Sequence, residues 1–470
     1  MKRKPLLMAA LACTLTLTGC PAPDDEVQTV TCPAEETTLA WSETIDNTLD
    51  TVPAADSHLA ETDVQDTDIG VEETSQTKAD GTPVADNTTD TAEADAENYA
   101  DGTEGDFESM ENYEIAFLKY AARNGESFVI SPASAKLAMS MAAMGAGEGS
   151  STEKELLGLF GYESKDEMSR VGKALMEELN REDGSLSAKN SIWVSDRVKN
   201  LNSSFTDDLT NYFYAESFTR DLTSQGFVDE LNGWVEKNTN GLIKQMLREP
   251  LSEDARLALV NTLYFKNEWQ YHFNDRYPRG FYGAKGYNEK APAMNMTEYI
   301  MYSSDNTFKS VKLNYTDGSC MKIFLPSDEN RLITDIIAET SAEELSAAME
   351  PVYRSTEVSL TMPPFECDYK ESLAEMFRSL GVKDCFTDGK ADFSGMTAEV
   401  PLVISDVIQA AKIICDEKGT EAAAATVVTV ATCSDVPSYP VVLTIDRPFL
   451  YTIESPSGET LFMGVITDVE

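Results

Sequence analysis

Few residues in this chain are equipped for covalent chemistry. Histidine is the scarcest, with only His58 and His272 among 470 residues. Zinc sites, Ser-His-Asp triads and histidine acid/base pairs are hard to assemble from two such residues. His272 has no serine or metal-ligand constellation around it in sequence. Paired aspartates are abundant, but mostly as tail charge rather than as an acid/base pair. The expectation is a protein that is not an enzyme and that needs no cofactor and no metal.

Cysteine is the other reactive type. Of eight, Cys13 and Cys20 fall in or beside the N-terminal apolar stretch, and Cys32, Cys320, Cys367, Cys385, Cys415 and Cys433 are scattered without Cys-x-x-Cys spacing. A body this large does not need disulfides for stability, so mostly free thiols are expected. Charge excludes other classes. Lys+Arg number 37 against 81 Asp+Glu, a net charge of −44. Nucleic acid and anionic lipid surfaces both demand concentrated basic residues, and the field of this chain repels them.

The first twenty residues read as an address. Lys2, Arg3 and Lys4 precede an apolar run from Leu6 to Leu17, too short for a membrane span of ~20 residues and suited to a secretory signal. The run ends Leu17-Thr18-Gly19-Cys20, which resembles a bacterial lipobox. Residues 1–19 are therefore read as a lipoprotein signal peptide and Cys20 as the lipid attachment site; several acyl chains on one cysteine anchor stably. An exported bacterial lipoprotein is implied, held at the cell surface or on the outer or periplasmic face of a membrane. From Pro21 to Asp106 there are 24 Asp+Glu and one basic residue, Lys78, with Trp41 and Tyr99 the only aromatics. Such a segment cannot bury enough apolar surface to offset its ordering entropy. Residues 20–106 are thus expected to be a disordered acidic tether, with His58 inert inside it, and residues 107–470 the folded body.

The body begins with apolar residues at helical spacing, Met110, Tyr113, Phe117 and Ala121, closing near Gly125. Phe128-Val129-Ile130 reads as a short buried strand, and Ser134 to Met144 as a helix capped at Gly145-Ala146-Gly147, a cluster without phosphate-loop spacing. Leu257 to Phe265 is almost continuously apolar, as a strand buried on both faces would be. Further strands are expected at Met321–Leu325, Val358–Met362, Val441–Ile445, Leu450–Ile453 and Leu461–Ile466. Helices early and strands late suggest an α+β fold.

The segment from Glu417 to Thr432 has conflicting local preferences. Ala422, Ala423, Ala424 and Ala425 favour helix, whereas the β-branched residues after Thr426 favour strand. As a strand, one face carries Thr420, Ala422, Ala424, Thr426, Val428 and Val430, all small or β-branched and none charged. The segment could enter a tightly packed sheet, its polar flanks and Ser434-Asp435 also suit an exposed loop, and on local preference alone a plain helix followed by an edge strand is the ordinary reading.

These residues resemble the reactive-loop hinge of the serpins, and the resemblance extends over essentially all of Phe107 to Glu470. Phe128-Val129-Ile130-Ser131-Pro132-Ala133-Ser134 is similar to the family's first shutter segment, and Leu231 to Ile243 to the helix that crosses its main sheet. Val260 to Trp269 resembles a central strand ending at the breach tryptophan, and Leu443 to Ile453 the family signature. What this implies is a large mixed five-stranded sheet, two smaller sheets, eight or nine helices and an exposed reactive-centre loop. The implied activity is suicide inhibition: a protease cuts the loop, forms an acyl-enzyme, and is trapped as the loop inserts into the sheet. The implied partner is a target protease in covalent complex with a monomeric inhibitor.

The resemblance implies hinge residues Glu417, Gly419, Thr420, Ala422, Ala423, Ala424, Ala425 and Thr426. It also implies shutter and breach residues Ser131, Ser134, Asn261, Gln409 and Trp269. Gln409 stands where the family usually has His, and is expected to bridge Ser131, Ser134 and Asn261 without pH dependence. Seventeen residues counted from Glu417 put the reactive bond at Cys433–Ser434, with Ala431 and Thr432 as alternatives because the stretch to Phe449 is long for an inhibitor. Cys433 behaves as a small hydrophobe, which points to an elastase-like serine protease, with chymotrypsin-like and papain-like enzymes as alternatives. The absence of charge or proline on the inserting face favours an inhibitor over a non-inhibitory surface-anchored binding protein.

Overall fold

The computed structural model describes residues 113–420 and 439–470, apart from Asp254, Val400 and Asp406. The signal, Cys20, the tether, Met110, the hinge residues Ala422 to Thr426 and the bond Cys433–Ser434 lie outside the described residues.

Five long strands build the main sheet. Leu186–Ser195 pairs in parallel with Glu216–Arg220 and antiparallel with Leu257–Phe265. On the far side Phe365–Ser372 pairs antiparallel with Ile408–Cys415. The two halves meet where Leu257–Phe265 and Ile408–Cys415 run parallel; among the described residues their ladder there is reduced to one bridge, Leu259 with Val407. The sheet is therefore mixed, and it is incompletely sewn along its middle.

Burial follows from what covers each face. All nine residues of Leu257–Phe265 are buried. Helix Pro132–Met144 packs on one side of this strand. On the other, Ala258 and Val260 join Leu231, Trp234 and Val235 of helix Gln225–Asn238 in a second apolar cluster. Helix Pro132–Met144 starts where Ser131 accepts a hydrogen bond from the Ser134 N–H at 3.2 Å and Pro132 sets the first turn. It ends at Gly145, as expected. The helix read at Leu231 to Ile243 stops earlier, at Asn238, because Asn240 and Gly241 take positive φ values of 50° and 82°.

The smaller sheets share a strand. Residues 301–304 of the thirteen-residue strand Pro292–Ser304 pair with Phe308–Asn314, and residues 294–302 pair with Arg354–Met362. One side continues through Cys320–Pro326, Phe449–Glu454 and Thr460–Ile466 to Phe128–Ile130; the other ends at Val441–Thr444. Nine α-helices occur among the described residues, and the fold is α+β.

The opening helix, Tyr113–Ala122, packs against this second sheet. Its Glu114 accepts a hydrogen bond from the Thr460 hydroxyl at 2.8 Å. Burial pushes its carboxyl up to about 7; the Thr460 bond and Lys136 oppose this, and Glu459 and Glu454 add to it. A carboxyl bound more tightly to its proton in the fold than in the unfolded chain stabilises most at low pH. That contribution is lost as pH rises from about 4.5 to 7, a change on the order of 3 kcal/mol. The melting temperature is expected to fall between pH 5 and pH 8, and Glu114→Gln to flatten that slope; an equal slope in the variant would remove Glu114 as its cause.

Candidate functional site

The site is the upper end of the gap between the two sheet halves. Strand Ile408–Cys415 ends in a tight turn. The Asp416 carboxylate accepts from the N–H groups of Lys418 at 2.8 Å and Gly419 at 3.1 Å, and the Asp416 N–H donates to the Gly419 carbonyl at 2.9 Å. The turn sends the chain back down into the gap. Thr420 then pairs antiparallel with Cys415 on one side, while Gly419 and Thr420 pair with Glu268 and Asn267 on the other. Two residues of the expected hinge are thus already seated in the sheet, at the position where an inserting strand would begin.

Each neighbour of this start is specific. Gly419 is required because a Cβ would collide with the Asn267 carbonyl. Thr420 is 1 % exposed, and its hydroxyl lies 2.7 Å from the Tyr315 hydroxyl in a buried hydrogen bond. Tyr315 stacks on Trp269 with ring centroids 4.4 Å apart and planes at 13°. Trp269 holds the turn by donating its indole N–H to the Asp416 carbonyl at 2.9 Å and its backbone N–H to that of Lys418 at 2.8 Å. Burial pushes the Tyr315 hydroxyl well above its ordinary pKa, with Cys415 adding to the effect, so it stays a neutral donor or acceptor. At the turn's outer side Arg276 clasps both carboxylate oxygens of Glu417. Partial burial works against the Glu417 charge, but the Arg276 hydrogen bond outweighs it and holds the carboxyl below its usual range.

Lower in the gap the sequence-derived residues separate into two networks. Gln409 accepts from the Ser131 N–H at 2.9 Å and donates to the Ser131 carbonyl at 2.9 Å. Both ends of its amide are spent on one backbone residue, so it does not bridge Ser134 and Asn261, contrary to expectation. Instead the Ser134 hydroxyl donates to the Asn261 side-chain carbonyl, the Asn261 amide donates to Asn190 at 2.6 Å, and Asn190 donates to the Phe213 carbonyl at 2.8 Å. All of these side chains are buried. Asn261→Ala removes a partner from both Ser134 and Asn190 and is expected to cost ~2–4 kcal/mol, read as a fall of several degrees in the melting temperature; an unchanged melt would show that the network adds no net stability.

Sequence reasoning placed Trp269, Glu417, Gly419 and Thr420 in this region, but missed Tyr315, Arg276, Asp416 and Asn190. Only Asn190 left a visible trace, as an amide inside an otherwise strand-like stretch. At the other end of these strands, beside the bridge of Leu259 with Val407, a small apolar cavity is lined by Leu231, Met246, Leu257, Leu259 and Ile408. Among the described residues Cys320, Cys367, Cys385 and Cys415 are free and buried, and no group of three or more His, Cys, Asp or Glu could hold a metal ion.

Comparison with known proteins gives the geometry a context. The family model described as Serpin (serine protease inhibitor) matches residues 112–469. Serpin-Z10 of Arabidopsis thaliana is 30% identical over 364 residues, covering 73% of this chain and 92% of the relative. Alpha-1-antiproteinase of Rattus norvegicus is 29% identical over 356 residues, with 73% and 84% covered. The crystal structure of tengpin, a thermophilic serpin in the native state, superposes with a TM-score of 0.68 at 26% identity, over 76% of this chain and 92% of that one.

Proposed function

Since this chain belongs to the serpin family, we propose that it is a suicide inhibitor of endoproteases, anchored outside the cell by lipid on Cys20. One observation carries the reading: the central sheet is open between Leu257–Phe265 and Ile408–Cys415, and Gly419 and Thr420 already occupy the top of that opening. A chain cut beyond Thr420 can continue down the gap as an antiparallel strand, gaining hydrogen bonds on both sides.

The chemistry belongs to the attacking protease. Its nucleophile adds to the carbonyl carbon of Cys433, the Cys433–Ser434 amide bond breaks, and the Ser434 nitrogen leaves protonated with the C-terminal fragment. Ordinarily water would then hydrolyse the ester. Insertion competes with that step by carrying the acylated end away from its entry point and distorting the enzyme. The uncut fold must therefore be held by a barrier rather than by being the lowest state.

Cys433 offers a small apolar side chain, which favours elastase-like serine proteases, then chymotrypsin-like ones, with papain-like cysteine proteases as a further class. The acidic segment 20–106 supports a role as a spacer that keeps the inhibitor clear of its membrane. A non-inhibitory binding protein of the same fold is the second reading, and it predicts cutting without capture.

The test is to mix the full-length protein in mild detergent with elastase, chymotrypsin, trypsin and papain under reducing conditions. A complex surviving denaturing electrophoresis, with a released fragment beginning at Ser434, is expected with the elastase-like enzyme. Clean cutting by all four with every enzyme still active would favour the binding protein.

A further inference from the structure

The strand pairs at the top of the gap set a register that runs downward on both sides. Thr420 lies opposite Cys415 on one side and Asn267 on the other. Antiparallel pairing moves one residue along each neighbour for every residue added. Seven steps beyond Thr420 is Val427; seven steps along the neighbours are Ile408 and Val260. An eighth step sets Val428 between Val407 and Leu259, the two residues that bridge the gap. The two sides of the gap therefore stay level with each other from Cys415 and Asn267 down to that bridge.

At the seventh step lies the small apolar cavity. Val260 and Ile408 both line it, together with Leu231, Met246 and Leu251. Leu231 belongs to helix Gln225–Asn238, and Val260 and Ile408 pack in the apolar cluster under that helix. Alternation agrees: Gln409 and Asn261 bond to Ser131 and Ser134 on the opposite side of the sheet, so Ile408 and Val260 turn to helix Gln225–Asn238. On the matching face of the segment after Thr420, Glu421, Ala423 and Ala425 come first, and Val427 is the first branched apolar residue.

We propose that this cavity is a preformed seat for Val427 of the cut chain, and that Val427 is a positioning residue for the trapping step. The proposal rests on the inhibitor reading, and chain length selects the occupant. Thr420 is fixed in the sheet, and each further strand residue advances about 3.4 Å. Val427 therefore arrives about 24 Å below Thr420, level with Val260 and Ile408. Admitting the segment parts the two strands by one strand spacing, about 4.8 Å, which widens the mouth of the cavity for a branched side chain. Burial of Val427 there, midway between Thr420 and Cys433, holds the half-inserted segment against slipping back while the acyl-enzyme still faces water.

The test uses the full-length protein in mild detergent, against whichever protease forms the covalent complex. Val427→Asp puts a charge into the apolar seat, and the inhibitor consumed per protease is expected to rise from near one to about five. The association rate constant and the melting temperature of the uncut protein are expected to keep their parent values. Val427→Ile refills the seat and is expected to inhibit as the parent does. Glu421 already puts a charge on the same face of the segment, so a loss in Val427→Asp belongs to the seat and not to the face. Placement is read separately with cysteine pairs under oxidising conditions. Val427→Cys with Ile408→Cys is expected to close a disulfide after cutting and not before, because directly opposite residues stand about 4.5–5.5 Å apart. Ala425→Cys with Ile408→Cys is expected to stay open. Undiminished inhibition by Val427→Asp overturns the proposal, as does closure from residue 425 in place of 427. A lowered melt of the uncut Val427→Asp protein overturns it too, by assigning Val427 to the uncut fold. A parent chain that forms no covalent complex, and whose melt does not rise on cutting, overturns both the seat and the inhibitor reading.

Discussion

Thr420→Arg is expected to turn the protein from an inhibitor into a substrate, raising the inhibitor consumed per protease from near one to more than about ten. The physical cause lies in the seat of Thr420. It is buried between Cys415 and Asn267, with its hydroxyl on Tyr315. A guanidinium is far larger than the Thr420 side chain, whose buried partner is the neutral Tyr315 hydroxyl, and burying its charge at that seat costs several kcal/mol. The arginine escapes by lifting the hinge out of the sheet, which removes the start from which insertion propagates. The acyl-enzyme is then hydrolysed before the loop can move, and the freed enzyme cuts the next molecule. Titration of residual protease activity, with electrophoresis to separate complex from cut inhibitor, measures the partition. Thr420→Ser keeps the hydroxyl and is expected to inhibit normally. Undiminished inhibition by the arginine variant would rule out insertion as the trapping step.

Cutting the loop is expected to raise the melting temperature by about 20 °C or more. Among the described residues, the strand pairing across the gap between the sheet halves consists of the bridge of Leu259 with Val407 and the pairs made by Gly419 and Thr420. A strand of about ten residues laid into it would add on the order of ten hydrogen bonds at ~1 kcal/mol each. For a domain of this size each kcal/mol moves the midpoint by about 2 °C. A circular dichroism melt of cut and uncut protein measures the difference. An unaltered midpoint after complete cutting would show that the loop stays outside, and would favour the binding protein.

Much of the architecture was legible because burial leaves a periodic trace. Leu257 to Phe265 reads as apolar on both faces because helices Pro132–Met144 and Gln225–Asn238 cover both. The strand at Met321 to Leu325 reads as apolar for a similar reason, extending in the structure to Cys320–Pro326 with all seven residues buried. Ends were less legible. The helix expected to run to Ile243 stops at Asn238, where a positive φ at Asn240 and Gly241 turns the chain, and no apolar period marks such a stop.

The candidate site divides in the same way. Thr420 was identifiable as the first residue of an uncharged strand face, since alternation alone sorts the side chains of a strand. Its partner Tyr315 was not, because it lies 105 residues away and nothing in its own neighbourhood records the contact. Gln409 shows the converse error. Its amide was expected to serve three residues, but its geometry lets both ends close on Ser131 alone, leaving Ser134 and Asn261 to pair with each other and with Asn190.

By itself, the sequence determined the acidic segment, the periodicity of the strands and the small, uncharged face that follows Gly419. These are properties of residue type and spacing, which act over a few positions. Only the tertiary structure decided that the main sheet is left open in its middle and that Thr420 already sits in the opening. Both depend on two strands some 150 residues apart in the chain (257–265 and 408–415) lying parallel without closing a ladder, and on Trp269, Tyr315 and Arg276 meeting at one turn. Local preference constrains which face of a strand is buried; which partner it meets, and whether that partner is missing, is set by packing across the whole domain.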